Sequence, residues 1–152
     1  MRARLLILTA CLFAMPASAQ YTLNGAEDMT LLSGKQLREA FAGKTHYGTY
    51  KDAREETGTD SFTEKMGVDG RTDYREGPMR LKGYWDILVD DVMCFEYENF
   101  PGRHCFRMYR SGTCIYGYNP RDTTALGPVN ANAWSVKSIR KGDVSTCDDL
   151  IG

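Results

Sequence analysis

Cysteines constrain this chain more tightly than any other residue type. There are five in 152 residues: Cys11, Cys94, Cys105, Cys114 and Cys147. An odd number cannot all pair within one chain, but Cys11 stands apart from the rest. It lies in a segment with the marks of a secretory signal. Arg2 and Arg4 precede an apolar run from Leu5 to Met15, which is followed by Pro16 and the small residues Ala17-Ser18-Ala19 that a signal peptidase reads. Cleavage is expected after Ala19, which makes residues 1–19 a signal peptide and 20–152 one exported domain, periplasmic or secreted. The apolar run is shorter than the roughly 20 residues a membrane-spanning helix needs, so no transmembrane segment is expected. Leu8-Thr9-Ala10-Cys11 also resembles a lipobox. The apolar stretch before it is about six residues, below the usual 7–15, and lipid attachment at Cys11 is kept as the alternative.

Removing residues 1–19 leaves four cysteines, an even set that reads in an exported chain as two disulfides with three possible connectivities. Arg2 and Arg4 leave with the signal, so the formal charge of −1 becomes −3. That mild acidity gives no electrostatic reason to expect nucleic acid. A mean hydropathy of −0.44 with 11% aromatic residues fits a globular domain and argues against disorder. No Cys-x-x-Cys spacing exists and only His46 and His104 could assist, so no metal or other cofactor is implied.

One helix is expected, over 34–42. Ser33 is placed as the N-cap with Gln36 completing a capping box, Leu32 and Leu37 as a hydrophobic staple, and Gly43 as the stop. Beyond Lys44 the chain is rich in Tyr, Thr, Phe and Val, with turn residues about every 8–12 positions. Strands are expected near 45–51, 60–67, 71–77, 80–88, 92–98, 104–110, 113–118 and 132–140, with loops at 52–59 and 119–131. Asp69-Gly70 reads as a type I′ hairpin and Ser111-Gly112 as a second two-residue turn. The fold class is mainly β: an antiparallel meander of about eight strands forming a half-open barrel, calycin- or lipocalin-like, with one short N-terminal helix.

Register follows from keeping apolar residues on one face, since a one-residue slip moves a whole strand's core set to solvent. A three-residue loop at Val89-Asp90-Asp91 sets Trp85 opposite Phe95 and Ile87 opposite Met93. Pairing Cys94 with Cys105 sets Met93 opposite Phe106. A turn at Ser111-Gly112 sets Met108 opposite Ile115 and Tyr109 opposite Cys114. One face then holds Trp85, Ile87, Met93, Phe95, Phe106, Met108 and Ile115. The other holds Cys94, Cys105 and Cys114. Cys114 lies four residues along from Cys105, roughly 13 Å, too far to bridge, so it takes Cys147. The expected disulfides are 94–105 and 114–147.

Chemistry is harder to find. No nucleophile signature surrounds either histidine, and the adjacent carboxylates Asp90-Asp91 and Asp148-Asp149 read as solvated turn and tail residues. No phosphate-cradling or calcium loop is present. Tyr84, Tyr109, Tyr116 and Tyr118 share the disulfide face with Arg107, and these are residue types enriched at binding hot spots. The expectation is a non-enzymatic binding module that uses this patch for an unknown protein or small ligand.

The segments Gly83-Tyr84-Trp85-Asp86-Ile87, Met93-Cys94-Phe95-Glu96-Tyr97 and His104-Cys105-Phe106-Arg107-Met108-Tyr109-Arg110-Ser111-Gly112 form a recurrent pattern. With Leu32-Ser33-Gly34-Lys35, Gly48-Thr49 and Asp69-Gly70-Arg71 they are similar to a family of small exported proteins of unknown function common in alphaproteobacteria. The resemblance spans roughly residues 30–118. It implies an exported β-rich module and transfers no catalytic residue. A second resemblance is to periplasmic inhibitors of C-type lysozyme, which are disulfide-containing barrels with a Ser-Gly-x-x-Tyr and a later Lys-Gly-Asp segment. Here Tyr116 follows Ser111-Gly112 one residue further on, and Lys141-Gly142-Asp143 takes the later position. The alternative function this implies is inhibition of a lysozyme-type hydrolase through Ser111, Gly112 and Lys141.

Overall fold

The computed structural model describes residues 29–147; the expected signal peptide, Cys11 and Asp148-Asp149 lie outside the described residues. A short strand β1 (Thr30–Leu31) leads into helix α1 (Gly34–Phe41). Then come β2 (Lys44–Arg54), β3 (Thr59–Met66), β4 (Arg71–Glu76), β5 (Met79–Ile87), β6 (Val92–Tyr97), β7 (Phe100–Ser111) and β8 (Cys114–Tyr118). Two further two-residue strands, β9 (Thr123–Thr124) and β10 (Gly127–Pro128), precede β11 (Val136–Arg140).

From β2 to β8 each strand pairs antiparallel with the next. β11 then lies between β8 and β2, with Ser138 opposite both Gly48 and Ile115. The eight strands therefore close into a barrel, where the sequence suggested a half-open one. Closure comes from β11 offering hydrogen bonds on both edges, which leaves the meander no free edge. Among the described residues no helix is long and apolar enough to cross a membrane.

Alternation sorts the strands into a lumenal and an outer face. Trp85 opposite Phe95, Ile87 opposite Met93 and Met93 opposite Phe106 all occur as expected, around a turn at Val89–Asp91. Asp90 and Asp91 both sit at positive φ, and Asp91 Oδ1 accepts from the Gly34 N–H at 2.6 Å. The turn thus caps the first turn of α1, where N–H groups have no partner within the helix. Gln36 adds the expected arm of the capping box by accepting from the Ser33 N–H at 2.8 Å.

Two turns differ from expectation. At 67–71 the Gly67 N–H donates to the Arg71 carbonyl, and of the expected pair only Gly70 has positive φ, 83°. A type I′ turn needs both; the loop is a three-residue one with glycine in the left-handed position. In the second hairpin Ser111 pairs with Cys114, so Gly112 and Thr113 form the turn, and Met108 lies opposite Gly117 rather than Ile115. Gly112, at φ 59°, leads the turn, as in the hairpin type that demands glycine first. The register shift is two residues, so every side chain keeps its face.

Both disulfides join the expected partners, Cys94 with Cys105 (Cα–Cα 4.1 Å) and Cys114 with Cys147 (5.2 Å). The tail reaches Cys114 along a zipper of threonines. Thr113 N–H donates to Thr146 Oγ1 at 2.9 Å, and Thr113 Oγ1 donates to the Val144 carbonyl at 2.7 Å.

Helix α1 plugs one end of the barrel. Leu37 and Phe41 join Leu32, Met66, Trp85, Met93, Phe95, Met108 and Ile115 in one core cluster. A second cluster, Phe62, Tyr74 and Val136, lies toward the other end.

Candidate functional site

Between the two clusters the barrel holds a cavity of about 440 Å³. Phe41, His46, Met66 and Ile115 bound it at the helix end. Tyr50, Phe62, Tyr74, Phe95, Tyr97 and Phe106 line its walls, and Lys51, Asp52, Arg54, Phe100 and Trp134 sit around its mouth. Eight strands make a barrel just wide enough to be filled by side chains or to hold one small ligand. Two lumenal glycines shape the walls. A Cβ on Gly48 would stand 2.2 Å from the Phe62 ring, and one on Gly83 would stand 2.3 Å from the Glu96 carbonyl and 3.0 Å from Tyr97 Cα. Gly48 faces Phe62 across β2–β3 and Gly83 faces Tyr97 across β5–β6. Each glycine lets the opposite ring lie across its strand.

Two glutamates are buried in the lumenal wall and do different work. Glu76 accepts hydrogen bonds from the Tyr74 hydroxyl and the Thr57 hydroxyl, and from Arg54 at 3.3 Å. Tyr50 joins through its hydroxyl, 3.0 Å from that of Tyr74, and the Arg54 guanidinium lies 5.3 Å from the ring centroids of both Tyr50 and Phe100. With three donors, one of them the Arg54 cation, Glu76 sits in a satisfied ionic network that stiffens the mouth. It does not line the cavity.

Glu64 does line it. It is 4% exposed, and Oε1 accepts from the Thr72 hydroxyl at 2.6 Å and the Tyr97 hydroxyl at 2.8 Å. No cation pairs with it among the described ion pairs. Burial raises its pKa to about 7, against the pull of its two hydroxyl donors. A glycosidase-type carboxylate pair would need both acids at the reacting bond. Glu76 is outside the cavity, so the two do not form one.

The histidines are placed apart. His46 is 1% exposed, stacked on Phe41 at 4.5 Å. Its Nε2 lies 3.1 Å from the Ala40 carbonyl and its Nδ1 3.3 Å from Ser138 Oγ. Donation to Ala40 fixes Nε2 as the protonated nitrogen, so Ser138 donates to Nδ1. Burial lowers its pKa to about 4, which leaves too weak a base to activate the serine near neutral pH. The pair fastens α1 to β2 and β11. His104 lines the cavity with its Nε2 buried and without a hydrogen-bond partner; burial, and then the charge of Arg54, lower its pKa.

The tyrosine patch expected on the disulfide face is divided. Tyr84 is 56% exposed on β5, whereas Tyr109 and Tyr118 are 2% and 0% exposed. The 119–131 segment folds back over them. The Tyr118 hydroxyl donates to the Ala131 carbonyl at 2.7 Å, the Pro120–Asp122 turn packs on β7, and Tyr109 meets Tyr118 edge-on at 5.5 Å. Arg107 and Tyr116 are half-buried, with Tyr116 packed edge-on against Trp134 at 6.5 Å. The outer face here is a second packing layer rather than one open surface. Ser111, Gly112 and Lys141 lie at the helix end, where Gly112, Thr113, Arg140 and Asp143 edge a hollow of about 310 Å³ and the Lys141 ammonium lies 5.9 Å from the Tyr47 ring. Among the described residues no group of His, Cys, Asp or Glu is arranged to hold a metal.

The lumenal residues Tyr50, Phe62, Glu64, Tyr74 and Tyr97 were not singled out in the sequence. Their signal is the two-residue alternation His46, Gly48, Tyr50 on β2, Phe62, Glu64, Met66 on β3 and Thr72, Tyr74, Glu76 on β4. No protein-family model, curated protein or solved structure matches the chain.

Proposed function

We propose that this protein is a non-enzymatic binding module of the periplasm or extracellular space that holds one small, largely apolar ligand inside its barrel. The observation that carries this is the cavity of about 440 Å³, walled by aromatic rings with a few fixed polar groups. Ligand sites commonly have that size and that mixture of apolar wall and convergent polar atoms. Two disulfides support an oxidising compartment. The lumen takes the place of the outer tyrosine patch as the binding surface, because Tyr109 and Tyr118 are already packed against the chain's own loop.

Titration with phenylnaphthylamine, a neutral fluorophore that brightens in apolar surroundings, tests the reading. One probe per chain is expected, displaced by no change at Tyr84 and abolished by Val136→Trp, which fills the lumen. Absence of binding, or undiminished binding to a folded Val136→Trp protein, overturns it.

A second reading is inhibition of a lysozyme-type hydrolase by the turn around Ser111 and Gly112 with Lys141. It is supported by the rigidity that the Thr113–Thr146 hydrogen bonds and the Cys114–Cys147 link give to that exposed turn. Unchanged lysozyme turnover at micromolar excess of this protein removes that reading.

A further inference from the structure

The lumen carries an asymmetry that indicates the chemistry of its ligand. At depth, the group able to bear charge near neutral pH is Glu64. His46 stays neutral, held between Ala40 and Ser138. The cations Lys51 and Arg54 are at the mouth, and both are engaged, Lys51 with the Asn132 carbonyl at 2.5 Å and Arg54 with Glu76. Both hydroxyl donors of Glu64, Thr72 and Tyr97, converge on the same oxygen, Oε1. The second oxygen is left to the cavity that Glu64 lines. Around it stand the rings of Tyr74 and Tyr97, 5.2 Å apart, and of Phe62, 5.6 Å from Tyr74. Aromatic faces favour cations, and a desolvated carboxylate without a counter-ion favours them more strongly.

We infer that the lumenal ligand is a cationic amine with an apolar body, its ammonium pairing with Glu64 Oε2 and its body lying among the rings of Phe62, Tyr97 and Phe106. This deepens the lumenal reading above and rests on it. An anionic ligand would find no free cation at that depth. A neutral one would leave the Glu64 carboxyl holding its own proton and would gain no charge-assisted bond there.

The ionisable groups that line the lumen with Glu64 are His46 and Tyr50 from β2, Tyr74 from β4, Tyr97 from β6 and, beside Tyr97, His104 from β7. Burial lowers both imidazoles and pushes all three phenols up. The raised pKa of Glu64 means that a cation entering the lumen displaces a proton.

The test compares naphthylmethylamine, naphthylmethanol and naphthoate by calorimetry on the full oxidised chain. The amine is expected to bind roughly tenfold or more tightly than the alcohol, as a charge-assisted bond warrants, and the naphthoate more weakly than either. On the unaltered protein, amine affinity is expected to rise from about pH 6 to about pH 8, with a proton released on binding near pH 7. Glu64→Gln is expected to erase the preference for the amine while keeping the alcohol's affinity. Equal binding of amine and alcohol, or an amine preference that survives in folded Glu64→Gln, overturns the amine inference and leaves the lumenal reading standing. Binding of none of the three overturns both.

Discussion

Replacing Glu64 by glutamine makes the protein more stable above neutral pH and leaves it unchanged in mild acid. In the folded chain Glu64 takes up its proton at about pH 7, against 4.5 for an ordinary glutamate, because burial disfavours the charge. The folded state therefore holds that proton more tightly than the unfolded state. The resulting stabilisation is fully present below pH 4.5 and is lost as pH rises through 7. At about 1.4 kcal/mol per pH unit, the whole effect is about 3 kcal/mol. Glutamine resembles the protonated carboxyl in shape and can accept from Thr72 and Tyr97, but it never ionises. His46 works in the opposite direction. Its pKa is lowered to about 4, so its contribution is present above pH 6.5 and is lost as pH falls through 4. It is common to both proteins and cancels in the comparison. Urea unfolding with the disulfides intact, followed by tryptophan fluorescence at about pH 5 and about pH 8, measures the difference. The variant is expected to match the parent within about 1 kcal/mol at the lower pH and to exceed it by about 2–3 kcal/mol at the higher. A difference that does not change with pH, or a variant less stable at pH 8, refutes the reasoning that Glu64 is buried without a counter-ion.

Removing the Cys114–Cys147 link with paired serines releases a loop of 33-residue separation and is expected to lower stability by about 3–4 kcal/mol in urea titration. The Cys94–Cys105 pair, separated by 11 residues and held across an intact ladder, is expected to cost less in the same assay, about 2–3 kcal/mol. Gly83→Ala forces a Cβ onto the Glu96 carbonyl, a backbone atom that cannot move alone, and should lower stability by roughly 2 kcal/mol or more by thermal unfolding. Asp91→Ala leaves the Gly34 N–H without its acceptor and is expected to cost about 1 kcal/mol by the same measure.

Much of this architecture is legible in the chain. The helix is announced by Ser33, Gln36 and Gly43, and the register of β5, β6 and β7 by the requirement that Trp85, Met93 and Phe106 share a face. The cysteine pairing survives a two-residue error in the last hairpin because such an error preserves faces. Barrel closure is less legible, since it depends on where Val136–Arg140 docks, a contact between strands distant in sequence. The outer patch misleads for a related reason. Tyr109 and Tyr118 do face outward, but a loop rich in Gly, Pro and Asn carries no apolar pattern to reveal that it covers them. Glu64 is hidden among polar residues: on β3 it is flanked by Thr63 and Lys65, and only the lumenal parity of Phe62 and Met66 marks it as inward.

A crystal structure of the protein with naphthylmethylamine shows where a cationic aromatic amine settles. The naphthyl ring is expected inside the barrel between Phe62, Tyr97 and Phe106, with its ammonium beside Glu64. A ligand seated on the outer face, with the lumen collapsed or filled by side chains, would contradict that placement.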